Sequence, residues 1–293
     1  MATPSQWLAG ARPRTLPAAL SPVLAGSGVA AYDGHAVWWK AALAMVVALA
    51  LQVGVNYAND YSDGVRGTDE DRVGPLRLVG SGAAKPEHVK YAAFGTFGLA
   101  MLFGLALVII TQSWWLILVG IGCVMAAWGY TGGKNPYGYM GLGDVFVFVF
   151  FGLVATLGTT YTQAGQVSLS AVIGAIGTGL IACALLMANN VRDIPTDIQA
   201  GKKTLAVRLG DKHARESYVL MLAVAILLVV ILAPGRPWIL IVLLLIPACL
   251  MPAWLMINGR KRKSLIPVLK QTGLINLGYS LLFSLGLVLS HGF

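Results

Sequence analysis

The sequence predicts an all-α, polytopic membrane protein, and three observations carry that prediction. Hydrophobic residues make up 57% of the 293 and charged residues only 11%, where an ordinary soluble domain has roughly a quarter of its residues charged. Mean hydropathy is +0.74. The apolar stretches recur along the whole chain instead of forming one anchor, at lengths suited to a hydrocarbon layer that a helix crosses in about 20 residues. Residues 1–293 therefore read as one transmembrane domain with no separate soluble part.

Windows of that length give nine expected spans, near residues 15–32, 38–58, 89–110, 114–130, 142–162, 168–191, 216–233, 238–257 and 270–290. Pro17 and Pro22 interrupt the first apolar run, and no cleavage region leads into a soluble domain, so it is expected to be a kinked span and not a secretory signal.

Charge placement follows from that count. With the N-terminus on the cytoplasmic side, all of the 21 Lys and Arg except Lys40 and Arg236 fall in cytoplasmic segments, as the positive-inside rule requires. The expectation is a multi-pass protein of the cell membrane with its polar loops in the cytoplasm and its C-terminus outside. The net charge of +9 is then met by anionic lipid headgroups, and no nucleic-acid motif accompanies it. Cys123, Cys183 and Cys249 stand singly in apolar spans, and the four histidines are dispersed. Neither pattern is that of a thiolate or imidazole metal site.

Two polar clusters break the apolar background. "NYANDYSDG", Asn56 to Gly64, ends the second span, and "ANNVRD", Ala188 to Asp193, ends the sixth. Ala58, Asn59 and Asp63 match Ala188, Asn189 and Asp193 at a constant offset of 130 residues. Four spans separate the clusters, so both lie on one side of the membrane. A parallel repeat follows, with units near 15–130 and 142–257.

Residues three and four apart share a helix face, so Asn56, Asn59, Asp60 and Asp63 can point together, and so can Asn189, Asp193 and Asp197. A carboxylate at membrane depth costs about 2.5–3.5 kcal/mol, and neighbouring carboxylates repel. A cation between them relieves both, and hard oxygen ligands without His or Cys favour Mg²⁺. Helix capping is the plainer reading of such residues; it suffices for Asp69, Glu70 or Asp71 taken singly, but not for two clusters recurring on one side. Arg66, Arg72, Arg77, Arg192, Lys202 and Lys203 are expected in the same two loops as the acids. Carboxylates, Mg²⁺ and basic side chains together suit a diphosphate.

These motifs resemble the UbiA superfamily of intramembrane prenyltransferases. The family pattern N-D-x-x-D-x-x-x-D is met at Asn59, Asp60 and Asp63, although its last position is Gly67 here; D-x-x-x-D is met at Asp193 and Asp197. Asn56 with Asp60 offers a second register. "GARPRTLPAALSPVLAG" and "YTGGKNPYGYMGLGD" extend the likeness to the branch acting on 1,4-dihydroxy-2-naphthoate in menaquinone synthesis. The resemblance implies two four-helix units plus one helix around a central cavity open to lipid. It also implies catalytic Asp60, Asp63, Asp193 and Asp197, with Mg²⁺ as cofactor and a polyprenyl diphosphate as donor. The aromatic ring would gain the prenyl group and lose CO₂, giving demethylmenaquinone.

The aromatic acceptor is expected at Tyr130 to Asp144. Tyr130, Tyr137 and Tyr139 could stack on a ring, Lys134 could meet a carboxylate, and Asp144 could orient a hydroxyl. Two rivals stay open: another acceptor such as 4-hydroxybenzoate, and, from another class, an ion-coupled transporter, since intramembrane Asp and repeats occur there too.

Overall fold

A computed structural model describes residues 2–67 and 76–291, and every regular element among them is helical. A short helix α1 (Pro4–Ala11) precedes α2 (Pro17–Tyr32), α3 (Trp38–Val65), α4 (Pro86–Thr111) and α5 (Leu116–Gly129). Then come α6 (Gly143–Ala164), α7 (Leu169–Gln199), α8 (Leu205–Leu232), α9 (Pro237–Ile257) and α10 (Arg262–Leu289). Each expected window contains a helix. Among the described residues, seven helices, α3, α4 and α6 to α10, are long and apolar enough to cross a membrane. In the first and fourth windows α2 has 16 residues and α5 has 14, short of that length.

The boundaries differ where the sequence is polar. The second window stops at residue 58, whereas α3 continues through the polar cluster to Val65. Residues 192–199 likewise continue α7, so Arg192 is a helix residue and not a loop residue. Once a helix has nucleated, each further residue adds a hydrogen bond, and a polar sequence extends it past the apolar stretch. Pro17 opens α2 at its first position, where no N–H is needed, and Pro22 lies within a continuous helix. In α8, Gly210 has φ +75 and ψ 163. That conformation, which suits glycine, separates the first turn from the spanning stretch that the sequence starts at 216.

The outer faces are apolar: Leu118 is 74% and Leu244 71% exposed, which a protein in water avoids in bulk and lipid accepts. α7 is the central helix, with 72% of its most apolar window buried against 22% for α9. It packs along α8, α10, α6 and α2, while α3 packs along α4. Apolar helices gain little hydrophobic drive from pairing inside lipid, so small residues and interhelical hydrogen bonds hold them. α2 shows both. Thr160 donates to the Gly26 carbonyl at 3.0 Å, Gln163 to Ser27 Oγ at 3.1 Å, and Ser284 to the Leu24 carbonyl at 3.1 Å.

A Cβ on Gly28 would lie 2.1 Å from Ser284 Oγ and 2.7 Å from its Cα, so the α2–α10 contact needs glycine there. Gly28→Val is expected to destabilise the protein by about 1–3 kcal/mol, read as a lowered Tm in detergent. Gly120→Val is the control, since nothing lies within 4 Å of a Cβ there. Equal Tm values for the two variants would refute the packing account.

Candidate active site

The end of α3 brings its polar residues to one region but to different partners. Asn56 Nδ2 donates to the Ala11 carbonyl at 2.9 Å and to Thr15 Oγ1 at 3.0 Å, so it joins α3 to the N-terminal segment. Asn59 Oδ1 accepts from Thr131 Oγ1 at 2.8 Å. Asp60 is fully buried, and its two oxygens accept from the backbone amides of Leu78 at 2.8 Å and Val79 at 2.9 Å. Charge-assisted hydrogen bonds of this kind are about twice as strong as neutral ones, so Asp60 pins the segment after α3 back onto the helix.

Asp63 is where the basic residues meet. Its Oδ2 faces Arg77 Nη2 at 3.5 Å, and its Oδ1 faces Lys202 Nζ at 3.5 Å and accepts from the Tyr139 hydroxyl. The Lys202 ammonium also lies 4.4 Å from the centre of the Tyr139 ring, within cation–π range. Burial alone would push this lysine down, but Asp63, the Tyr139 phenol and Asp197 outweigh it and hold it above its ordinary value. A lysine with a raised pKa stays charged through neutral pH and loses its attraction only on the alkaline side. Lys202 therefore lies between the motifs, its ammonium facing Asp63 of the first and its backbone amide bound to the Asp197 carbonyl of the second.

In the second motif, Arg192 grips the adjacent Asp193 through two bonds of 2.7 and 2.6 Å. Asp197 is buried, with its carbonyl accepting the Lys202 amide at 2.8 Å. Asn189 is half-buried and Lys203 exposed. Arg72, with Asp69, Glu70 and Asp71, lies outside the described residues. Among the described residues, no three His, Cys, Asp or Glu side chains form a group able to hold a metal ion.

Residues 130–142, between α5 and α6, are stitched to both motifs. Arg66, expected beside diphosphate, donates to the carbonyls of Thr131 and Gly133 with its guanidinium 5.4 Å from the Tyr139 ring centre. The Lys203 amide donates to the Tyr139 carbonyl at 2.8 Å, and Arg208 Nη2 donates to the Met140 carbonyl at 2.9 Å. Gly141 makes this approach possible: its φ is +79, and a Cβ would fall 2.9 Å from the Lys203 carbonyl.

The expected acceptor residues do not converge. Tyr137 stacks on Phe146 with ring centres 3.9 Å apart, sits edge-on to Tyr130 at 5.6 Å, and donates to the Ala126 carbonyl at 2.7 Å. Burial, and Tyr130 beside it, push its phenol well above the ordinary value, so it stays a donor. Lys134 is exposed, and Asp144 is buried at the start of α6. The aromatic residue at the charged centre is Tyr139. Sequence reasoning gives it no preference over Tyr130 and Tyr137, and it misses Thr131, Arg208 and the Leu78 and Val79 amides. The glycines flanking Tyr139, Gly138 and Gly141, are the available signal for a close backbone approach.

Residues 19–287 match the model of the UbiA prenyltransferase family. The chain belongs to that family. A UbiA-family relative, the 1,4-dihydroxy-2-naphthoate octaprenyltransferase of Mycobacterium tuberculosis (strain ATCC 25618 / H37Rv), is 54% identical over 281 residues, covering 96% of each chain. The enzyme of the same name from Escherichia coli (strain K12) is 38% identical over 97% of this chain and 96% of its own. A UbiA homolog from Archaeoglobus fulgidus, solved bound to DMAPP and Mg²⁺, shares the fold with a TM-score of 0.71 at 16% identity, over 97% of this chain and 99% of that one.

If Asp60 holds the segment after α3, replacing one acceptor oxygen by an NH₂ sets a donor against an amide N–H. Asp60→Asn is expected to speed tryptic cleavage after the buried Arg77 by about tenfold or more, measured on protein in lipid vesicles. An unchanged cleavage rate would show that the segment is held without Asp60.

Proposed function

We propose that the protein transfers a polyprenyl group from polyprenyl diphosphate to 1,4-dihydroxy-2-naphthoate, releasing diphosphate and CO₂ and forming the reduced form of demethylmenaquinone. The observation that carries this reading is Lys202, whose ammonium faces Asp63 at 3.5 Å while its backbone amide donates to the Asp197 carbonyl at 2.8 Å, so that two motifs 130 residues apart meet at one residue. The family and the relatives' names supply the chemistry.

The oxygen donors at this centre fit Mg²⁺. Asp63, Asp193 and Asp197, with the amide oxygens of Asn59 and Asn189, are hard ligands, and Mg²⁺ commonly takes one or two carboxylates plus the substrate's phosphates; a prebuilt three-carboxylate cage is not required. When bound, the ion neutralises the diphosphate and stabilises it as a leaving group. Asp60 acts one step back by holding the segment that carries Arg77. Arg77 and Lys202 flank Asp63, and Arg192, Lys203 and Arg72 complete the basic set assigned to the diphosphate. These cations hold the departing diphosphate oxygens as the carbon–oxygen bond breaks and the electron pair leaves with the anion. The allylic cation that remains is shielded by Tyr139, whose ring already lies against a cation. An electron-rich ring carbon then attacks, and loss of CO₂ returns the electrons of the carboxyl bond to the ring. Lys134, at the exposed tip of the loop, offers the acceptor carboxylate its first attraction, and Tyr130 and Tyr137 frame the loop from beneath.

In the membrane we infer nine crossings, with α2 and α5 as short members, arranged as two four-helix repeats near 15–130 and 142–257 plus α10. The placement of Asp63 and Asp193 at matching positions near the ends of α3 and α7 supports the repeat. The N-terminus and the charged centre face the cytoplasm and the C-terminus lies outside the cell membrane, with the prenyl tail in a central cavity open to lipid.

The test is an assay in lipid with a polyprenyl diphosphate, read by mass spectrometry. Prenylated naphthoquinol with loss of CO₂ is expected only when Mg²⁺ is present, and 4-hydroxybenzoate is expected to yield nothing. Product from 4-hydroxybenzoate alone would overturn the acceptor assignment, and none from either would overturn the enzyme reading. Asp63→Ala and Asp197→Ala are each expected to lower turnover by about a hundredfold or more while the protein remains folded. Lys202→Met is expected to raise KM for the diphosphate more than it lowers kcat; an unchanged KM would remove Lys202 from the substrate site.

A further inference from the structure

A cleft of about 350 Å³ opens between the start of α3, the end of α4 and the end of α6. Lys40 on its wall lies roughly 35 Å from Asp63 along α3, at 1.5 Å per residue. That is about the thickness of a hydrocarbon layer, so the cleft and the charged centre stand at opposite ends of the helix.

The wall is mostly polar. Lys40 lines it with Thr111, Ser113, Tyr161, Thr162 and Gln163, and no Asp or Glu does. Several of these groups are already committed. The Thr111 and Thr162 hydroxyls donate to the carbonyls of Leu107 at 2.8 Å and Gly158 at 2.9 Å, and Ser113 donates to the Thr111 carbonyl at 3.2 Å. Gln163 donates to Ser27 Oγ and accepts from the Val37 amide, each at 3.1 Å. Lys40 is different. It is only partly buried, the first turn of α3 in which it stands holds no acid, and among the described residues no carboxylate pairs with it. An ammonium offers three donors, and here the protein supplies it with no anion.

The depth of the cleft is marked by tryptophan. Trp38, Trp39, Trp114 and Trp115 are each more than half exposed, and two of them touch the wall. The Trp39 ring centre lies 5.8 Å from Lys40 Nζ, and Trp115 sits edge-on to Tyr161 at 5.3 Å. Exposed tryptophans gather at the level of the lipid headgroups, where the anion at hand is a phosphate. The volume is at the small end of the about 300–1,000 Å³ of small-ligand clefts, which suits a headgroup and not a lipid tail. The tail has its own path: Ile110 on the rim is exposed, as are Leu102, Leu105 and Ile109 along the apolar flank of α4.

We propose that this cleft binds the phosphate of an anionic phospholipid, with the Lys40 ammonium paired to it and the acyl chains lying along α4. The inference does not rest on the prenyl-transfer reading.

The probe is phosphatidylglycerol, titrated into the detergent-solubilised full chain and compared with phosphatidylcholine, with binding of the first lipid read by native mass spectrometry. Phosphatidylglycerol is expected to bind about tenfold more tightly, the size of one hydrogen bond between charged groups. Lys40→Met is expected to abolish that preference and Lys40→Arg to retain it, at unchanged Tm. Thr111→Trp is expected to weaken both lipids by filling the cleft. Arg236, whose guanidinium lies 5.0 Å from the Tyr32 ring centre at the same end of the bundle, is the control: Arg236→Met removes an equal charge and is expected to leave the preference intact. Equal losses in Lys40→Met and Arg236→Met would show attraction to net charge alone and overturn the site. A preference that survives Lys40→Met, or first-lipid binding unaltered by Thr111→Trp, overturns it too. Glycerol phosphate at equal concentration is expected not to displace the lipid; displacement on equal terms would assign the cleft to a soluble phosphate and overturn the lipid.

Discussion

The polar end of the molecule is organised by one electrostatic requirement: carboxylates at the ends of apolar helices must be neutralised or hydrogen-bonded where they stand. Asp63 meets it with Arg77 and Lys202, Asp193 with Arg192, and Asp60 with two backbone amides. Each partner comes from a different stretch of chain or fixes one. Satisfying the acids therefore ties the segment after α3, the α5–α6 connection and the α7–α8 connection to one place. The cations that meet these acids therefore also fix the three stretches of chain relative to one another.

That cap is only as well placed as the helices beneath it. α7 carries the second motif and is the most enclosed of the spanning helices, while α2 locks α6 and α10 through hydrogen bonds to backbone carbonyls and a glycine contact. Lipid tails compete on equal terms with apolar side chains for helix surfaces. Close packing and buried hydroxyls, not greasiness, therefore set where α3 and α7 end relative to one another. A cation such as Arg215, bound to Asp211 at 2.8 and 2.9 Å and to the Met256 carbonyl at 3.0 Å, does similar work between α8 and α9. Its role is structural.

The α5–α6 connection divides its tyrosines by environment. Tyr137 is held from three sides, by Phe146, Tyr130 and the Ala126 carbonyl, and serves to shape the loop. Tyr139, two residues on, turns to the charged centre and presents both a hydroxyl and a ring to it. Neither composition nor spacing distinguishes the two, because a loop held by backbone contacts to Arg66, Lys203 and Arg208 has no helical period from which to read a face.

By itself the sequence determined the class of the protein, the windows in which helices form, and the two positions where charge enters an apolar chain. Those are local properties: hydropathy over a span, hydrogen-bond propagation along a helix, and spacing on one helix face. It placed Asn56, Asn59, Asp60 and Asp63 on a shared face, but what each one touches was decided by residues far away in the chain. Asn56 is claimed by Ala11 and Thr15, Asn59 by Thr131, Asp60 by Leu78 and Val79, and Asp63 by Arg77, Tyr139 and Lys202. Only tertiary packing brings those partners within a few ångströms, since a helix face is a local property and its neighbours are not.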